Sequence, residues 1–157
     1  MATSPETRLE ELGIKLPETP APAGAYVPAT RAGNLVFTAG QLPLEAGQVT
    51  IRGKVGDTVG VDEAAEAARL CAMNALAAAA TQTGSLGGIS RIVKVTGFVA
   101  SAPGFNDQPQ VINGASHFLG EIFGDAGLHA RSAVGVAELP MDAPVEIELV
   151  VETAPDA

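Results

Sequence analysis

The segment that decides the fold lies near the C-terminus and has the sequence Pro144-Val-Glu-Ile-Glu-Leu-Val-Val-Glu152. Successive side chains of a β-strand point to opposite faces of a sheet. The alternation therefore places four aliphatic residues on one face (Val145, Ile147, Leu149, Val151) and three glutamates on the other (Glu146, Glu148, Glu152). We expect the aliphatic face to pack against helices, so the acidic face must meet solvent or a partner subunit.

The rest of the chain supplies further strands and two long helices. Strands are predicted at 34–40, 48–52, 91–101 and 132–139, and helices at 5–12, 61–83 and 111–123. Asp62 is expected to cap the long helix, and 48–52 to be the hairpin partner of 34–40. After the N-terminal helix the order is β-β-α-β-α-β-β. It predicts an α+β fold in which two helices pack on one face of a mixed sheet.

Length and composition exclude several classes of protein. The 157 residues fit one domain, 1–157, in which 1–22 form the N-terminal helix and a proline-rich arm. A net charge of −9 argues against nucleic-acid binding, which needs clustered lysine and arginine. No signal peptide and no apolar run of about 20 residues is visible, so we expect a cytoplasmic protein without a membrane segment.

Neither the cysteine nor the histidines predict a metal or cofactor. The single cysteine, Cys71, lies in an alanine-rich stretch and is interpreted as a buried hydrophobic residue rather than a nucleophile. The two histidines are far from each other and no CxxC or HExxH spacing occurs. We expect no bound metal and no cofactor.

Two charged residues are candidates for chemistry. Arg131 opens a predicted strand among small neighbours, and its guanidinium can bind a carboxylate through two parallel hydrogen bonds. The alternative is an ion pair with a nearby glutamate. Glu146 lies on the adjoining strand, where a partly dry cleft would let it orient a water molecule or shuttle a proton. The alternative is that Glu146 is one of several solvated glutamates, which commonly alternate on the exposed face of a strand.

Four other residues have weaker cases. Tyr26, the single tyrosine, lies in the proline-rich arm and either covers a pocket or packs against the core. Asn113 lies near a predicted helix start, where asparagine usually caps the helix. His117 is expected to be an ordinary helix residue. His129 precedes Arg131 by two positions, and we expect it to take no part in the site.

Six segments, in order, resemble the RidA/YjgF family of reactive-intermediate deaminases. They are Gly24-Ala-Tyr-Val-Pro-Ala, Gly33-Asn-Leu-Val-Phe-Thr-Ala-Gly-Gln-Leu-Pro, Ile92-Val-Lys-Val-Thr-Gly-Phe-Val, Val111-Ile-Asn, Ala130-Arg-Ser-Ala-Val-Gly-Val-Ala-Glu-Leu-Pro and Val145-Glu-Ile-Glu. The second and fifth are specific to the family. The N-terminal helix and the loop at 101–110 resemble a longer bacterial subgroup. Parts of this family carry an endoribonuclease label, which the acidic composition disfavours.

The resemblance implies a chorismate-mutase-like fold, a homotrimer with clefts between subunits and no cofactor. It implies that Arg131 binds the substrate carboxylate and that Glu146 positions the attacking water. Tyr26, Gly40, Asn113 and Ala133 would line the same pocket and contact the substrate. Position 133 is Ala133 where many members have cysteine, so a thiol mechanism is excluded there. Ala25 replaces a proline that is frequent in the family.

The function implied is hydrolysis of 2-imino or enamine acids to 2-keto acids and ammonia. The alternative is a trimeric module that binds a small carboxylate or other metabolite without turnover, in a regulatory role. The same Arg131 pocket would serve both functions. The sequence does not identify the amino acid from which the imine derives.

Overall fold

The computed structural model describes residues 3–157, which form three α-helices and seven strands. The helices are α1 (Pro5–Glu11), α2 (Val61–Thr83) and α3 (Gln108–Phe123). The strands are β1 (Ala29–Ala32), β2 (Leu35–Thr38), β3 (Leu44–Glu45), β4 (Gln48–Val49), β5 (Ile89–Ala100), β6 (Ala130–Val136) and β7 (Val145–Thr153). The predicted α+β class is confirmed.

Five of the strands form one mixed sheet in the order β1-β2-β7-β5-β6. The β5–β6 pair is parallel and the other pairs are antiparallel. β7 lies between β2 and β5, and its residues alternate between buried and half-buried positions as the sequence predicts. The central strand of the sheet is therefore the segment with the clearest alternating pattern.

Helices α2 and α3 pack side by side on one face of the sheet, which confirms the predicted layers. Alanines on α2 are buried and let its backbone approach the sheet. Gly114 of α3 lies against the backbone of Ala65 on α2, where a Cβ atom would collide with it. The largest buried side chains, among them Phe118, Leu76 and Ile92, fill the space between the layers. This packing fixes α3 over the β5–β6 edge of the sheet.

The predicted hairpin between 34–40 and 48–52 is wrong. β2 pairs instead with the preceding strand β1, through a turn at Gly33 and Asn34. Gln48 and Val49 pair with β3 in a separate two-stranded sheet. β1 is short and three of its four residues are exposed, so it lacks the alternating apolar pattern that reveals a half-buried strand.

The starts of the helices differ in detail from the prediction. Ser4 caps α1, because its hydroxyl accepts a hydrogen bond from the Thr7 amide at 3.1 Å. The N-cap of α2 is Gly60 rather than Asp62, and the Glu63 carboxylate accepts from the Gly60 amide. Asp62 instead lies in the first turn, where a negative charge favours the helix dipole.

The third helix begins at Gln108, three residues before the predicted start. Pro109 falls in its first turn, where the missing N–H costs no hydrogen bond. Consequently Asn113 lies inside α3, and its expected capping role is wrong.

Cys71 is fully buried on α2, as the sequence predicts. Burial raises the pKa of its thiol, and the negative charge of Glu146 is the second cause. No helix among residues 3–157 has the length and apolar character that a membrane span requires.

Candidate functional site

Arg131 lies at the edge strand of the sheet and points toward the helix layer. It is paired with Val95, and Val95 in turn with Leu149, in a row that faces the helices. Its Nη1 atom donates to Asn113 Oδ1 at 2.7 Å and to Ser116 Oγ at 3.2 Å, both on α3. No carboxylate in residues 3–157 forms an ion pair with it, so the alternative of a structural Arg–Glu pair is wrong for the chain by itself.

These contacts decide which part of the Arg131 guanidinium remains for a ligand. The two hydrogens on Nη1 are used by Asn113 and Ser116. The Nε–H and the Nη2 hydrogens have no acceptor in the described part of the chain. These donors lie along one edge of the planar group, in the fork geometry that matches a carboxylate. Ala133 follows two residues later on the same strand and packs against the core.

Glu146 lies on the opposite, open face of the sheet. Its partner on β5 is Phe98, and the partner of Phe98 on β6 is Val134. The carboxyl group is half-buried, and burial raises its pKa, with repulsion from Glu148 as the second cause. A carboxyl group whose pKa is raised toward neutral pH is suited to accept and return a proton.

Gly40 lies directly against the Glu146 carboxyl group. The neighbouring residue Gln41 forms two backbone hydrogen bonds with Ile147, of 2.8 and 3.0 Å, which hold this segment beside β7. A Cβ atom at position 40 would lie 2.8 Å from Glu146 Cδ, which is too close for two carbon atoms. The absence of a side chain at Gly40 is therefore required for the observed position of the carboxyl group.

Tyr26 lies across a small hollow from Gly40. The tyrosine is 51% exposed, and its hydroxyl accepts a hydrogen bond from the Ala23 amide at 3.2 Å, which folds the arm back on itself. The hollow has a volume of about 60 Å³ and also contacts Gln41 and Met141. Ligand sites usually enclose about 300–1,000 Å³. This hollow is consequently too small to enclose an amino-acid-sized molecule.

The predicted site residues thus fall into two groups within one chain. Arg131, Asn113 and Ala133 form an arginine half-site on the helix side of the sheet. Tyr26, Gly40 and Glu146 form a glutamate half-site on the other side. Two strand spacings and a three-residue offset separate the Cα atoms of Arg131 and Glu146 by about 14 Å. Since the side chains also point to opposite faces, one copy of the chain does not bring them together.

Sequence reasoning missed two polar residues beside Arg131. Ser116 was not singled out, and His129 was expected to stand apart from the site. The Ser116 hydroxyl is 2.9 Å from His129 Nε2, and His129 Nδ1 is 2.6 Å from the Gly127 carbonyl oxygen. The contact joins α3 to the residue before β6, and it forms only when the helix packs against the start of that strand. Only the position of His129 two residues before Arg131 hinted at it.

An open groove of about 510 Å³ between α2 and α3 also contacts Asn113, but it is unsuited to an anion. Three of its lining residues are acidic, namely Asp62, Glu66 and Glu121, and its arginine, Arg69, is paired with Glu121 at 3.3 Å. Acidic walls repel a carboxylate ligand.

Residues 3–157 contain no cluster of three histidine, cysteine or acidic side chains arranged to hold a metal ion.

Comparison with known proteins gives a consistent assignment. The model of the family described as "Endoribonuclease L-PSP" matches residues 17–153. Protein TCP17 of Trypanosoma cruzi is 41% identical over 92% of this chain and 91% of its own length. A 2-iminobutanoate/2-iminopropanoate deaminase of Dermatophagoides farinae is 34% identical, covering 88% of this chain and 93% of its own.

A solved structure extends the similarity beyond the segment that the family model matches. The protein Atu1372 of Agrobacterium tumefaciens, described as having unknown function, is 48% identical with a TM-score of 0.87. The match covers 96% of this chain and 92% of that one. The two half-sites are therefore carried on a fold shared along almost the whole chain, and this chain belongs to the RidA/YjgF (endoribonuclease L-PSP) family.

Proposed function

We propose that this protein is a hydrolytic deaminase that converts reactive 2-imino or enamine acids to 2-keto acids and ammonia. We further place its active site between the subunits of a homotrimer. The substrates named for the mite relative are 2-imino acids, and each carries a carboxylate beside the reacting carbon.

The observation that carries the proposal is the hydrogen bonding of the Arg131 guanidinium, of which one edge is held and the other has no partner. Its Nη1 atom is fixed by Asn113 and Ser116, and the Nε–Nη2 edge has no partner in residues 3–157. A hydrogen bond to a charged group contributes roughly 1.5–3 kcal/mol. In a chain of net charge −9, a local cation of this kind is needed to attract an anionic substrate. Position and charge thus support a carboxylate-binding role.

The trimer supplies what one chain lacks. The arginine and glutamate half-sites point away from each other in one subunit, but a neighbouring subunit can bring its glutamate half-site against the arginine edge. The open sheet face also supports association, because it combines acidic residues with Phe37 and Val134, which are 41% and 43% exposed in the single chain. Cyclic assembly would cover this face and close three equivalent clefts.

The chemistry follows from the two half-sites. Arg131 holds the carboxylate, and Glu146 of a neighbouring subunit accepts a proton from a water molecule whose oxygen attacks the imine carbon. As the C=N bond becomes a single bond, Glu146 passes the water's proton to the nitrogen, which gives a tetrahedral adduct with a hydroxyl and an amino group on one carbon. Glu146 then accepts the hydroxyl proton and transfers it to the amine, the C–N bond breaks, ammonia leaves and the carbonyl of the 2-keto acid forms. Positioning is the main task, since the imine is already reactive.

The test is an imine-hydrolysis assay with Arg131→Ala beside the wild type. An amino-acid oxidase generates the imine from several amino acids, and semicarbazide traps the imine that survives. Arg8→Gln is the matched control, because it removes one positive charge on α1, where Arg8 bonds the Glu121 carbonyl and the Glu11 carboxylate. We expect wild type and Arg8→Gln to lower the trapped imine and Arg131→Ala not to do so.

The other outcomes separate the alternatives. Binding of 2-keto acids through Arg131 without hydrolysis of any imine would favour the metabolite-binding module. RNA cleavage by highly purified protein that is lost in Arg131→Ala would favour the endoribonuclease activity instead. Light scattering tests the assembly, since three chains of 15.8 kDa give about 47 kDa.

A further inference from the structure

A series of hydrogen bonds extends from Arg131 Nη1, on the side of the guanidinium opposite the Nε–Nη2 edge. Arg131 Nη1 lies 3.2 Å from Ser116 Oγ, which lies 2.9 Å from His129 Nε2, and His129 Nδ1 lies 2.6 Å from the Gly127 carbonyl oxygen. All three side chains are at least partly buried. These hydrogen bonds connect the strand β6, the helix α3 and the short 3-10 turn at Gly124–Gly127.

The direction of each hydrogen bond follows from the groups involved. A backbone carbonyl only accepts, so His129 Nδ1 carries a hydrogen and donates it to Gly127. In the neutral ring Nε2 is then the acceptor, and the Ser116 hydroxyl donates to it. A guanidinium only donates, so Ser116 Oγ accepts from Arg131. Each of these three hydrogen bonds then has one donor and one acceptor, and the serine hydroxyl has one fixed orientation.

We propose that His129 and Ser116 are positioning residues that fix the Arg131 guanidinium for carboxylate binding. Asn113 accepts one hydrogen of Nη1, and Ser116, oriented by His129, accepts the other. With both Nη1 hydrogens held, rotation of the guanidinium is restricted and its Nε–Nη2 edge is presented to the cleft. Without His129, the hydroxyl is free to turn its hydrogen toward Arg131 and repel it.

This inference rests on the proposed carboxylate-binding role of Arg131, and it predicts an effect confined to the charged ligand. A carboxylate uses the fixed edge of the guanidinium, whereas the uncharged amide of the same molecule does not make the bidentate contact. Loss of the hydrogen bonds that join Arg131, Ser116 and His129 should therefore weaken binding of the carboxylate more than binding of the amide. It should also raise KM more than it lowers kcat, because the carboxylate is bound in both substrate and transition state.

The experiment measures binding of 2-oxobutanoate and of 2-oxobutanamide to the assembled protein by titration calorimetry or competition. The variants are Ser116→Ala, His129→Ala, His129→Gln and Arg131→Ala, with His117→Ala as the control. His117 is exposed on α3 and lies outside the chain of hydrogen bonds. His129→Gln retains an acceptor that can reach Ser116, so it serves as the conservative rescue even where His129→Ala folds poorly.

We expect Ser116→Ala and His129→Ala to weaken 2-oxobutanoate binding about 10-fold, with little effect on the amide. His129→Gln should recover most of the loss, and His117→Ala should bind like wild type. Equal weakening of both ligands, or no weakening, in variants whose fold is intact by circular dichroism overturns the inference while Arg131 keeps its role. Unchanged 2-oxobutanoate binding in Arg131→Ala, or its absence in wild type, overturns the proposed function itself.

Discussion

Replacement of Gly40 by alanine is the sharpest structural perturbation of the proposed catalytic carboxylate. The added Cβ atom would lie 2.8 Å from Glu146 Cδ and 3.1 Å from Cγ. Ordinary contact begins near 3.4 Å, so the carboxyl carbon must move by at least about 0.6 Å, and the nearer oxygen must move further. The backbone at position 40 is not in the left-handed region, so the substitution itself adds no backbone strain.

The displaced group is the end of a flexible, half-buried side chain, so folding should be little affected. Catalysis should suffer more, because a misplacement of about 1 Å can lower a rate on the order of 100-fold. We expect kcat/KM for imine hydrolysis to fall 10- to 100-fold, which corresponds to roughly 1.4–2.7 kcal/mol of transition-state stabilisation. The urea midpoint should change little at a fixed protomer concentration.

Gly120→Ala is the matched control. Gly120 lies on α3, and a Cβ atom there would meet no other atom within 4 Å. This variant should keep wild-type activity and gain about 0.5–1 kcal/mol of stability from the better helix former. Wild-type kcat/KM in a stably folded Gly40→Ala variant would refute the reasoning, since the carboxyl group would then tolerate displacement.

Two further substitutions test stability. Asn74→Ala should lower the free energy of unfolding by about 1–3 kcal/mol, because the fully buried amide donates to the Leu42 and Leu44 carbonyls at 3.1 and 3.0 Å, and its loss removes this donor from the Leu44 carbonyl and leaves the Leu42 carbonyl with only the Leu44 amide; a loss below 1 kcal/mol in urea unfolding would contradict this. Glu146→Gln should raise the urea midpoint near pH 8, since the raised pKa means that ionisation of Glu146 costs more in the folded than in the unfolded chain. The difference should vanish below the ordinary glutamate pKa, near pH 4, where both proteins carry a neutral group; equal midpoints near pH 8 would argue against the raised pKa of the half-buried Glu146 carboxyl group.

Patterns within one element were predictable from the sequence. The period-two alternation of 145–152 identified a strand with one aliphatic and one acidic face, because backbone geometry alone fixes which side chains share a face. The predicted end of α2 at Thr83 is confirmed, and the next residue, Gly84, adopts the left-handed conformation that glycine reaches at little cost. Such features depend only on residues close together in the chain.

Features that depend on tertiary packing were not predictable in the same way. The four residues of β1 become a strand only because β2 lies beside them, and their own pattern carries no strand signal. The Ser116–His129 contact is formed when α3 lies over the start of β6. Likewise Asn113 was assigned to a helix cap, because the first turn of α3 at Gln108 and Pro109 was taken as loop.

The separation of the two half-sites was also beyond the sequence. Both Arg131 and Glu146 were placed on adjoining C-terminal strands, which suggested proximity. The structure inserts β5 between β6 and β7, and the register puts the two side chains on opposite faces. The order of segments along the sequence gives neither the order of strands in the sheet nor their register.

The central claim, that Arg131 and Glu146 of different subunits form one active site, is tested most directly by mixing two inactive variants. Arg131→Ala retains Glu146, and Glu146→Gln retains Arg131, so a cleft between the two kinds of subunit can contain both native residues. After unfolding and refolding together in equal amounts, about one quarter of the clefts in random cyclic trimers should be intact. We therefore predict imine hydrolysis at about one quarter of the wild-type rate, from two proteins that are each inactive alone. No activity in a mixture shown to contain mixed trimers, under conditions where refolded wild type is active, would contradict the account.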